Sequence, residues 1–65
     1  MSARDEVLEE VRTVGPATVT QIAAGTGLSE STVRRALQAL ERVGRVESDD
    51  YHRRSRVYLA AEEES

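Results

Sequence analysis

Cysteine is absent from this 65-residue chain, and so are lysine, phenylalanine and tryptophan. Without cysteine there can be no disulfide, no thiolate metal site and no thiol redox chemistry. A single histidine, His52, cannot build a metal centre alone. There is no Gly-rich phosphate loop and no Cys or Lys nucleophile, so no catalytic constellation can be assembled and neither an enzyme nor a cofactor is expected. Tyr51 and Tyr58 are the only aromatics, which requires a small aliphatic core. No apolar run approaches the ~20 residues that cross a bilayer, and the N-terminus lacks the apolar core of a signal peptide. The expected location is the cytoplasm. The length allows one domain at most, near the lower limit for a chain that folds unaided.

The net charge of −3 argues superficially against a nucleic-acid partner, but its distribution argues the other way. Residues 1–28 are net −2, residues 29–58 carry seven Arg against five acids, and residues 59–65 add three Glu. Charge local to a binding face counts for more than the total. That every basic residue is Arg has bland explanations in a GC-rich genome or in adaptation to high salt.

The stretch Ser29 to Gly44, SESTVRRALQALERVG, organises the rest. Ser29 is a good N-cap, because its hydroxyl can accept from a free amide of the first helical turn. Val33, Ala36, Leu37, Leu40 and Val43 form one apolar stripe. Gly44 follows, where a left-handed residue is wanted. At about 100° per residue, the opposite side collects Ser31, Arg34, Arg35, Gln38 and Arg42, with Glu30 and Glu41 at its margin. A capped helix with one buried face and one Arg/Gln/Ser face fits a DNA major groove.

Earlier in the chain, Ser2-Ala3-Arg4-Asp5 reads as a capping box opening a helix over about 3–14. Its inner stripe is Val7, Leu8, Val11 and Val14, and Gly15 and Pro16 end it. Glu6, Glu9 and Glu10 make an acidic outer side. Ala17-Thr18 can form a very short strand. Thr18 to Gln21 is a second capping box, starting a short helix to about Ala24 with Val19, Ile22 and Ala23 inward. Gly25 to Leu28 then reads as a tight turn, and two helices so joined make a helix-turn-helix. After Gly44 the period changes. Arg45 to Ser48 alternates as a strand does, and Arg56 to Ala60 does so again with Val57 and Leu59 as inner residues. Asp49 to Ser55 between them reads as a long polar hairpin tip.

From Thr18 to Val46, TVTQIAAGTGLSESTVRRALQALERVGRV, the sequence resembles the winged helix-turn-helix domain of the MarR/ArsR/Lrp-like transcription-regulator group. Ala23, Gly27 and Val33 carry the likeness, with the Leu37, Leu40, Glu41, Gly44, Val46 ending. HRRSRVYL, His52 to Leu59, resembles the wing. The likeness covers about residues 5–60. It implies an α+β, mainly α, winged helix-turn-helix fold of three helices and a small antiparallel hairpin. Residues 1–60 would form that single domain, and the acidic residues 61–65 a frayed tail. By position it makes Ser29, Ser31, Thr32, Arg34, Arg35 and Gln38 groove-facing candidates, and Arg53, Arg54 and Arg56 wing candidates. Thr26 departs from the pattern, standing at a turn position that is often apolar in these families. No ligand-binding domain or long dimerisation helix is recognisable and no small-molecule effector is evident; a homodimer on a palindromic operator is a candidate assembly.

Each candidate also has a plain structural explanation. Glu30 stands four residues before Arg34, the favourable order for an intrahelical ion pair of roughly 0.2–0.5 kcal/mol. Arg35 has no acid at either ±4 position, which makes it the strongest groove candidate. Gln38 can read adenine and is also a good helix former. Arg42 suits the helix C-terminus. The wing arginines can bind phosphates or sit solvated beside Asp49 and Asp50. The expected function is therefore sequence-specific binding of double-stranded DNA in transcription regulation. The alternative is a protein-interaction winged helix whose acidic first helix docks a basic partner.

Overall fold

The computed structural model describes residues 2–52 and 55–61. Three helices and a two-stranded antiparallel sheet follow one another: α1 Ala3–Val14, α2 Val19–Thr26, α3 Glu30–Arg42, β1 Val46–His52 and β2 Ser55–Ala60. No described helix is long and apolar enough to cross a membrane.

Side chains close each helix start. The Ser2 hydroxyl accepts from the Asp5 N–H at 3.3 Å. Thr18 accepts from the Gln21 N–H at 3.2 Å while the Gln21 side chain accepts from the Thr18 N–H at 2.9 Å, a complete capping box. The end of α3 is closed by Gly44 at φ 81°. Its N–H donates to the Glu41 carbonyl at 3.1 Å and the Arg45 N–H to the Leu40 carbonyl at 2.8 Å. Those bonds satisfy carbonyls that a helix end would otherwise leave bare.

The core is aliphatic, as the scarcity of aromatics requires. Its largest fully buried side chains are Ile22, Leu37, Val7, Val11, Val33 and Val46, drawn from all three helices and β1. Val19, Ala23, Leu28, Tyr58 and Ala60 pack against this cluster. Two expected core positions are instead exposed, Val14 at 53% and Val43 at 66%. Each is the residue before the terminating glycine, and Val43, with φ −94° and ψ 5°, has already left helical geometry. Val14 is the last residue of α1 and stands at the edge of the stripe formed by Val7, Leu8 and Val11.

The other corrections concern boundaries and the hairpin. α2 runs to Thr26, so Gly25 and Thr26 belong to the helix and only Gly27 to Ser29 form the turn. The polar stretch expected as a long tip is mostly strand, because Asp49 pairs with Val57, Asp50 with Arg56 and His52 with Ser55, with an irregularity between Asp50 and His52. Ladder bonds are made by the backbone, so an acidic segment of poor strand propensity pairs when its partner is presented to it. The inner face also differs from the expected one. Val46 is buried and pairs with Ala60, and Ser48 pairs with Tyr58, so Tyr58 and Ala60 face the core rather than Val57 and Leu59. Side chains alternate with period two, and a single fixed point sets the whole strand. Here one such point is Ala17, whose N–H and carbonyl bond both main-chain groups of Tyr58 at 3.0 and 2.8 Å. The expected short strand at Ala17-Thr18 is this single bridge.

Candidate nucleic-acid interface

The α2–turn–α3 unit is joined by side-chain bonds as well as by packing. Gly27 ends α2 at φ 80°, in left-handed geometry, and its N–H donates to the Ala23 carbonyl at 2.8 Å. The Thr26 hydroxyl donates to the Ile22 carbonyl at 2.8 Å and accepts from the Leu28 N–H at 3.2 Å. This explains the unusual threonine: its hydroxyl satisfies the turn's main chain, a role that an apolar residue cannot fill. Leu28 then returns to the core and Ser29 caps α3.

On α3, Val33, Ala36, Leu37 and Leu40 are buried. Ser31, Arg34, Arg35, Gln38 and Arg42 are exposed. Ser31, Arg35, Gln38 and Arg42 lie nearly opposite the buried line, and Arg34 lies to one side. Arg34 has a partner there. Its Nη2 is 3.5 Å from Glu30 Oε1, and Glu30 Oε2 accepts from the Thr20 hydroxyl at 3.1 Å. Glu30 thus ties Arg34 to the start of α2. Arg35 has no ion-pair partner among the described residues.

The hydroxyl candidates behave differently from one another. The Ser29 Oγ accepts from the Thr32 N–H at 3.2 Å and donates to Thr32 Oγ1 at 2.9 Å, so it is engaged in the cap. Thr32 is half-buried and lines the seam towards α1. Ser31 is exposed. In the wing, Arg56 is exposed on β2, and Arg53 and Arg54 lie outside the described residues. Sequence reasoning missed the Thr20–Glu30 bond and the bond from the Ser48 hydroxyl to Glu41 Oε2 at 2.9 Å, which ties the root of the wing to α3. Both join residues that no periodicity relates.

A three-helix body, an α2–turn–α3 unit and an antiparallel hairpin after the third helix define a winged helix-turn-helix, a DNA-binding class of domain. The chain belongs to the IclR helix-turn-helix domain family, which it matches over residues 6–50. Its fold is similar to that of the Zalpha domain of Carassius auratus PKZ, solved in complex with Z-DNA. The two share 26% identity at a TM-score of 0.79, over 89% of this chain and 90% of that one. The apo Zalpha domain of zebrafish PKZ is similar at 26% identity and a TM-score of 0.77, over 94% of this chain and all (100%) of that one. A MarR family transcription regulator is similar at 27% identity and a TM-score of 0.82; 89% of this chain covers 40% of that protein. No curated protein matches the chain in sequence.

Proposed function

We propose that this domain regulates transcription by reading duplex DNA with the outer face of α3 in the major groove. The observation that carries the reading is α3 itself. One face is locked into the core by Val33, Ala36, Leu37 and Leu40, and the opposite face presents Ser31, Arg35, Gln38 and Arg42 to solvent. Arg35 and Gln38 are assigned to base edges, where a good bidentate contact discriminates by about 1–3 kcal/mol. Arg34 joins them when the duplex displaces Glu30. Ser31 and Thr32 are assigned to the groove edge, and Ser29 positions them through the cap. Arg53, Arg54 and Arg56 are assigned to the backbone or minor groove, fixing register.

The reading has no catalytic step and places the protein in the cytoplasm with the DNA. It includes a homodimer on a palindromic operator, in which two copies of α3 would reach half-sites about 34–36 Å apart. The MarR family regulator supports a role in transcription, and the Zalpha complex supports a duplex ligand.

The test is an amide NMR titration with a mixed-sequence duplex at low and at moderate salt. Shifts clustered at residues 29–38 and 52–56, weakening steeply with salt, are expected. Arg35→Glu should then abolish binding with the fold intact. A flat titration at low salt, or shifts confined to the acidic side of α1, overturns the reading in favour of a protein partner. A parallel titration with an alternating CG duplex, followed by circular dichroism, distinguishes binding of right-handed DNA from capture of the Z-form.

A further inference from the structure

Beside the outer face of α3, three cations gather along one seam. Arg4 stands in the first turn of α1, Arg35 in the middle of α3 and Arg45 just past its end, and all three are exposed. Arg4 and Arg35 line the groove between the start of α1 and α3, together with Thr32 and Ala36. Arg4 and Arg45 line its continuation, which is floored by Leu8 and Leu40 and holds one carboxylate, Asp5. Among the described residues, none of the three arginines has an ion-pair partner.

Folding does not require this arrangement. A cation in the first turn of a helix opposes the macrodipole, and the same turn of α1 already carries the fitting charges, Asp5 and Glu6. Arg4 and Arg45, which line one stretch of the groove with a single carboxylate, Asp5, also repel one another. A local rule broken without a folding gain marks a functional surface. Arg45 is moreover held in place by its main chain. Its N–H donates to the Leu40 carbonyl at 2.8 Å and its carbonyl accepts from the Ala61 N–H at 2.9 Å.

We infer that this seam is a second DNA-contacting surface. Arg4 and Arg45 engage phosphates of the strand that flanks the groove occupied by α3. The inference rests on the DNA-binding function proposed above. The occupant follows from continuity and charge: Arg35 belongs both to the outer face of α3 and to the seam, so a duplex seated on the first runs past the second. Exposed guanidinium groups meet phosphate oxygens with short, charge-assisted bonds.

The experiment measures duplex affinity across a salt series for the unaltered chain, Arg4→Ala, Arg45→Ala, the double variant and Arg4→Lys. Each Ala substitution should weaken binding to all sequences alike and lower the salt slope by about 0.9. Arg4→Lys should keep most of the slope, and trimming the duplex flank should erase the difference between variants. Thermal melts, expected to be unchanged, confirm that each variant is folded. A double variant with full affinity and an unaltered slope, while Arg35→Glu abolishes binding, overturns the seam and leaves the DNA-binding function standing. An altered base preference in place of an altered slope also overturns the phosphate role. If the unaltered chain binds no duplex, the proposed function falls, and the seam falls with it.

Discussion

Helix α3 and the hairpin of β1 and β2 use similar lengths of chain, yet they are specified in opposite ways. In α3, an N-cap hydroxyl, an apolar stripe and a left-handed glycine stand within one short segment, and each agrees with the others. The hairpin carries acidic residues in β1 and an arginine in β2. Its inner face is set by Ala17, which bonds Tyr58 from outside it, and by the packing of Val46 among the helices. The α3 signals are local and redundant. Those of the hairpin come from distant partners.

The sharpest way to break this comparison is Leu37→Ala. Leu37 is 1% exposed, and a buried Leu→Ala change costs about 2–5 kcal/mol. A domain of this size has roughly 3–5 kcal/mol in hand, so the variant should be largely unfolded at 25 °C by circular dichroism. A cooperative melt within a few degrees of the parent would show that α3 does not anchor the core.

The hairpin is tested by a pair of variants. Tyr58→Ala should cost about 2 kcal/mol in urea unfolding, and Val57→Ala less than about 1 kcal/mol, because only Tyr58 packs on the core cluster. The reverse order would restore the face that simple alternation suggests.

Gly27→Ala probes the turn between α2 and α3. A Cβ there meets nothing within 4 Å, so the cost is the left-handed backbone alone, about 1–2 kcal/mol. A neutral result would mean that the turn relaxes freely.

Glu30→Gln should change stability least, by at most about 0.5 kcal/mol, since the pair with Arg34 is solvent-screened. Its use is in binding. If Arg34 reaches the duplex, removing the neighbouring carboxylate should tighten affinity at low salt; weaker binding would instead mark Glu30 as the residue that orients Arg34.

Much of the fold was legible. The bounds of α1 and α3, the capping box at Thr18 and the buried set on α3 all follow from spacing and cap chemistry, which act over a few residues. The errors cluster where that range ends. Val14, the last residue of α1, and Val43, just past the end of α3, extend an apolar stripe to the point where the helix stops. Gly25 looks like a turn residue and suggests an α2 end near Ala24, whereas the helix runs to Thr26 and the chain turns at Gly27. For the candidate interface, the exposed arginines of α3 were readable from the wheel. The Thr20–Glu30–Arg34 link and the Arg4–Arg35–Arg45 seam were not, because each joins elements whose relative placement no local pattern contains.

By itself, then, the sequence determined the helices, their caps, the aliphatic character of the core and the polar face of α3. These depend on hydrogen bonds and periodicities spanning a turn or two. Only the tertiary structure decided which face of the hairpin turns inward, how far its strands extend and which charges become neighbours. A strand has no preferred face until something packs on it. In this chain Ala17 bridges Tyr58 and Val46 enters the core beside the helices, and together they make that choice.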